Sequence, residues 1–106
     1  MNIKIVTYDN EVVSTLLGKS AASQNDEIEI SEQIKLRYDE TTVQFDENLR
    51  QIISFTLTIG SSVMSGVVAN WLYDKLKGRK IEKLIIGKKE VEIDKGKIKI
   101  AIEEFK

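Results

Sequence analysis

QIISFTLTIGSSVMSGVVANWLYDKLKG, residues 51–78, is the stretch on which the architecture turns. From Gln51 to Tyr73 it carries no charged side chain. Asp46 or a neighbour can cap a helix here, Glu47 suits its first turn, and Lys75 and Lys77 suit its negative end. The segment therefore predicts one long helix from about residue 46 to Lys77, stopped by Gly78. On a helical wheel Leu49, Ile53, Leu57, Met64, Val67, Val68 and Trp71 gather on the side a sheet would cover. Ser54, Thr58, Ser61, Ser62, Ser65 and Ala69 gather opposite, with Gly66 at their edge. A surface helix would place Lys, Glu and Arg there, so a small uncharged face calls for a surface against it.

Length sharpens that expectation. About 30 helical residues extend ~45 Å, whereas a compact chain of this size has a radius of gyration near ~13 Å and a body ~35 Å across. The helix overhangs its own domain unless it breaks near Gly60–Ser61, and pairing small faces across a two-fold axis covers both overhangs. A homodimer through Ser54, Thr58, Ser61, Ser62, Ser65 and Ala69 is the leading expectation. The intrachain alternative is a bent helix with that face under the N-terminal elements. A bilayer span over residues 51–73 is a further alternative, since ~20 apolar residues suffice to cross. Trp71 and Tyr73 would then form an interfacial belt ahead of a cytoplasmic Lys/Arg cluster. Against it, the serines, threonines and Asn70 leave the segment weakly apolar, and its polar residues lie on one face.

Outward from this stretch, Ile3 to Thr7 reads as a first strand. Asp9 stands at an N-cap position, and Val12, Val13, Leu16 and Leu17 follow at helical spacing before Gly18. Ile28 and Ile30, then Ile34, Leu36 and Tyr38, alternate with polar residues, giving one long strand or a hairpin turning at Ser31–Gln33. Thr42–Phe45 is expected as a short strand. Ile81–Ile86 and Glu90–Ile93 are expected as strands around Gly87. Residues 97–105 fit strand and helix alike, and Asp94 as a cap tips them toward helix. The order β-α-β(β)-α-β-β-α describes an α+β fold, a small mixed sheet covered by one short and one long helix in a single domain, residues 1–106.

Composition bounds the chemistry. The 106 residues are 42% hydrophobic and 31% charged, the balance of a folded protein. Cysteine and histidine are both absent, which removes thiolate chemistry, the commonest general base near neutral pH and the commonest metal ligand. The opening MNIKIVTYDNE has no basic leader with an apolar core, so no secretory signal is expected and the expected location is cytoplasmic. IGSSVMSG lacks the Gly-Lys-Ser/Thr ending of a phosphate loop. Asp26–Glu27, Asp39–Glu40 and Asp46–Glu47 lack the spacing of a calcium loop and suit solvated or capping roles. No cofactor, no metal site and no catalytic residue is expected.

Charge is unevenly placed. Residues 1–74 hold 5 Lys/Arg against 11 Asp/Glu, and residues 75–106 hold 11 against 6. Lys75, Lys77, Arg79, Lys80 and Lys83 form the best anion-binding candidate, with Lys88 and Lys89 beyond. Lysines dominate and no aromatic residues interleave, a poor pattern for base readout or stacking. Such a cluster suits a phosphate backbone or another protein's acidic face.

The succession of strand, short helix, strand region, long Gly/Ser-bearing helix ending NWLYDKLKG, and KLIIGKKEVEID, over about residues 3 to 94, resembles the effector-associated constant components of bacterial conflict systems. That resemblance implies a non-enzymatic adaptor or regulatory module acting through contacts, here without a fused effector. The expected function is thus a self-associating interaction module of a bacterial cytoplasm, partnered by an unidentified protein. The alternatives are a membrane-associated immunity or holin-like protein anchored by residues 51–73, and a nucleic-acid accessory protein using the lysine cluster.

Overall fold

Strands and helices follow one another as β1 (Asn2–Thr7), α1 (Val12–Leu17), β2 (Glu27–Ser31), β3 (Ile34–Gln44), β4 (Arg50–Ile59), α2 (Ser65–Leu76), β5 (Ile81–Ile86), β6 (Lys89–Val91) and α3 (Lys95–Phe105). The computed structural model describes residues 1–45 and 49–105. The proposed cap at Asp46–Glu47 lies outside the described residues. All six strands form one sheet in the order β2-β3-β4-β1-β5-β6, and every neighbouring pair is antiparallel. The expected α+β class is the observed one. The sheet is antiparallel throughout rather than mixed.

The long helix expected over residues 46–77 is not formed. Arg50–Ile59 is the strand β4, residues 60–64 turn, and only the 12 residues Ser65–Leu76 are helical. The physical reason lies in the same absence of charge that suggested a helix face. β4 sits inside the sheet, between β1 and β3, so both of its edges are paired and one face is buried. Ile52, Ile53, Thr56, Thr58 and Ile59 are β-branched, which costs side-chain freedom on a helix and suits a pleated strand. Period two then sorts the residues: Ile53, Phe55 and Leu57 are buried in the core, whereas Thr58 is exposed. Gly60 marks the break. Its N–H donates to the Gln33 carbonyl at 2.7 Å, and a Cβ there would lie 2.8 Å from the Gln33 Cβ, a separation only glycine allows.

Helices cover one face of the sheet. Ile3 and Ile5 of β1, Ile34 and Leu36 of β3, Leu84 and Ile86 of β5 and Val91 of β6 join Ile53, Phe55 and Leu57 in one core cluster. Val12, Leu16 and Leu17 of α1, Val68, Ala69, Leu72 and Leu76 of α2, and Ile98, Ala101 and Ile102 of α3 complete it. Asp94 caps α3, accepting the Lys97 N–H at 3.0 Å, so the residues read as helix or strand are helix. The hairpin between β2 and β3 turns at Glu32–Gln33, and Thr42–Gln44 continues β3 instead of making a separate strand.

The opposite face is open. Its register places Lys4 beside Ser54 and Ile85, Val6 beside Ile52 and Lys83, and Arg37 beside Thr56. Ser54 and Val6 are nonetheless buried there, as expected where long side chains lay their apolar stems across a sheet. The radius of gyration is 13.1 Å, and the ~45 Å helix expected to overhang the body is absent among the described residues.

Candidate functional site

The chain brings its N-terminal acidic loop and its basic loop together at one end of the sheet. β1 ends at Thr7, whose side chain faces the helices and is fully buried. Its hydroxyl donates to the Lys80 carbonyl at 2.6 Å and accepts the Asp9 N–H at 2.9 Å. One buried hydroxyl therefore ties the approach to α1 to the entry of β5. Asp9 adds a second tie: its Oδ1 accepts the Glu11 N–H at 2.9 Å, and its Oδ2 accepts Arg79 Nη1 at 3.0 Å. The carboxyl is held below its usual pKa, chiefly by the Glu11 N–H and further by Arg79, against the opposing effect of burial.

Local geometry sets the basic side. α2 ends as the Lys77 N–H bonds the Tyr73 carbonyl at 2.8 Å, and Gly78 follows in the left-handed region at φ 76°. That reversal carries Arg79 back toward Asp9. Tyr8, Asp9, Asn10 and Glu11 face Lys77, Gly78, Arg79 and Lys80 across an open cleft of about 700 Å³.

The predicted anion-binding cluster is divided by the fold. Lys77, Arg79 and Lys80 reach the cleft. Arg79 is half-buried against Asp9, and Lys77 lies 3.4 Å from Asp74 at the surface. Lys83 stands on the open sheet face beside Val6, 3.8 Å from Glu90, and Lys75 belongs to α2 outside the cleft lining. Lys80 is exposed. The cluster is therefore three cations at the cleft rather than a five-residue patch.

The six small residues expected on one interface are likewise separated. Ser54 and Thr58 lie on β4. Ser61 and Ser62 are exposed in the turn, where the Ser62 hydroxyl donates to Gln33 Oε1 at 2.7 Å. Ser65 and Ala69 are buried on the inner face of α2. Their smallness there serves close packing within the chain, on a helix that begins only at Ser65 rather than on the bent long helix of the intrachain alternative. Among the acidic pairs, Asp26 accepts the Ser23 N–H at 2.8 Å, and Asp39 takes Arg37 Nε at 2.8 Å and the Thr56 hydroxyl at 2.7 Å. Asp46–Glu47 lies outside the described residues. Among the described residues no group of three or more acidic side chains could hold a metal ion, and no helix is long and apolar enough to cross a membrane.

Sequence reasoning placed Asp9 as the cap of α1, whereas Glu11 precedes that helix with no side-chain cap bond, and it missed the pairing of Asp9 with Arg79. The two are 70 positions apart, and neither residue carries a local pattern that announces the other. The fold and cleft define a class, an α+β protein with a one-sided antiparallel sheet and a basic loop locked to an acidic one. Comparison with protein-family models, curated proteins and solved structures returns no match for this chain.

Proposed function

We propose that the chain is a non-enzymatic interaction module whose loop Lys77–Lys80 docks an acidic segment of a protein partner. The observation that carries this reading is the double lock on that loop, by Thr7 on the Lys80 carbonyl and by Asp9 on Arg79. A loop fixed in this way presents Lys77 and Lys80 without an ordering penalty at binding, which is what preorganisation contributes to affinity. Two exposed lysines, point charges without a planar fork, favour an acidic protein surface over bidentate base readout.

Asp9 is shifted down, while Arg37 and Lys97 are shifted up by their ion-paired carboxylates, Asp39 and Glu92. Each shift favours the charged form of its group. The expected resemblance to conflict-system adaptors implies a non-enzymatic role. It drew on an uninterrupted helix that is here a strand, a turn and a shorter helix, so the proposal rests on the loop instead.

Fluorescence-anisotropy titration with a labelled Glu-rich peptide, and in parallel with duplex DNA of matched charge, tests the reading at physiological salt. The expected result is peptide binding that weakens with salt and is abolished by the double substitution Lys77→Glu, Lys80→Glu, with thermal stability unchanged. Peptide binding indifferent to that double substitution, or absent from the wild type, overturns it. Tight saturable binding of DNA alone transfers the loop to the nucleic-acid reading.

A further inference from the structure

We propose that the chain self-associates through the free edge of β3, Glu40–Gln44, by antiparallel pairing with the same segment of a second copy. The site is separate from the basic cleft and does not depend on it.

β2 covers β3 only along its first half. Their register runs from Ile34 to Arg37, and main-chain bonds from Asn25 to the Tyr38 carbonyl and from Tyr38 to the Asp26 carbonyl close it at 2.7 and 2.8 Å. A register shift between Tyr38 and Glu40 follows, after which β3 continues beside β4 to Gln44. Among the described residues that second half has a strand on one side only. Thr42, Val43 and Gln44 are exposed.

The direction of its main-chain groups follows from β4. The Leu57 N–H donates to the Met1 carbonyl, so alternate residues Leu57, Phe55 and Ile53 turn their main chain toward β1. Ser54, Ile52 and Arg50 then turn theirs toward β3, where they meet Glu40, Thr42 and Gln44. Thr41 and Val43 are left with N–H and C=O directed away from the sheet, a template for another strand.

The edges differ in how they are defended. β2 carries Glu27 and Glu29 on its outer residues, so two copies of it would set carboxylates against one another. β6 is 3 residues long. The Thr41–Gln44 edge has β-branched residues and no charge, proline or glycine, a composition that invites pairing.

A second copy fits by register and by charge. With the two-fold axis at Thr42, Thr42 faces its own counterpart in a non-hydrogen-bonded pair. Thr41 then meets Val43 of the second copy on either side, where all the outward N–H and C=O groups are matched. The ends bring Glu40 opposite Gln44 of the second copy. Arg50 Nε already donates to Gln44 Oε1 at 3.0 Å, which leaves the Gln44 NH2 as a donor for that carboxylate. Between Glu40 and Gln44 no like charges face one another, and the two sheets become continuous.

Sedimentation velocity over a concentration series tests this with two independent perturbations. Val43→Pro removes an outward N–H and no bond to β4, so the folded variant is expected to be monomeric where the wild type is dimeric. Thr42→Glu and Thr42→Lys each place like charges across the axis and are expected to be monomeric alone. An equimolar mixture of the two is expected to restore the dimer, a result that holds even if Val43→Pro unfolds. A wild type monomeric up to its solubility limit, a dimer that persists in the Thr42→Glu chain, or a mixture that stays monomeric overturns the proposal.

Discussion

Replacing Phe55 by alanine separates a strand from a helix over residues 50–59 more sharply than any other single change. On a helix with Ile53 and Leu57 inward, Phe55 lies two residues from each, about 200° around the axis, and points outward. On β4 it shares their face and is fully buried, between Ile3 and Tyr38 in register, with its ring centroid 5.8 Å from that of Tyr38. Truncating a buried phenylalanine costs ~3–5 kcal/mol, and loss of the aromatic pair accounts for about 0.5–1.5 kcal/mol beyond area alone. A domain of this size has a total stability of roughly 5–15 kcal/mol, so a fifth or more of it disappears. Urea slopes of ~1–3 kcal/mol per molar convert the smallest expected loss into a midpoint lower by at least ~1 M. Thr58→Ala, on the open face, is expected to stay within ~0.5 kcal/mol of wild type. If Phe55→Ala unfolds at the wild-type urea concentration while Ile53→Ala and Leu57→Ala are severe, the period is helical and the assignment of β4 fails.

Thr7→Val keeps the shape of a buried side chain and removes the hydroxyl that joins the Lys80 carbonyl to the Asp9 N–H; the expected loss is about 1–3 kcal/mol. Calorimetry showing an unchanged melting temperature would discard the lock as a stabilising element. Asp9 has a lowered pKa in the folded chain, so its contribution is complete above the unfolded carboxylate value near ~3.9 and fades as pH falls through the lower folded value. The melting-temperature gap between wild type and Asp9→Asn is therefore expected to be constant from neutrality to about pH 5 and to narrow below about pH 4. A gap that grows in acid contradicts that sign.

The elements with strong local signals were legible from the residues alone. Val12, Leu16 and Leu17 before Gly18, the alternation through Ile34 and Leu36, and the Asp94 cap each specify their own backbone within a few positions, and each formed where expected. The basic loop was legible as a charge run, and part of it lines the cleft. Residues 51–59 were not legible, because an uncharged run of isoleucine, serine and threonine satisfies a helix face and an interior strand equally well. What selects the strand is β1 and β3 on its two sides, partners as far away in sequence as Met1 is from Leu57, 56 positions. The pairing of Asp9 with Arg79, the division of the lysines between cleft and open sheet, and the undefended edge beyond Tyr38 have the same origin. Local sequence determined hydrogen-bond propensities and side-chain character, while the order of strands in the sheet decided which backbones were paired, which charges met and which edge stayed free.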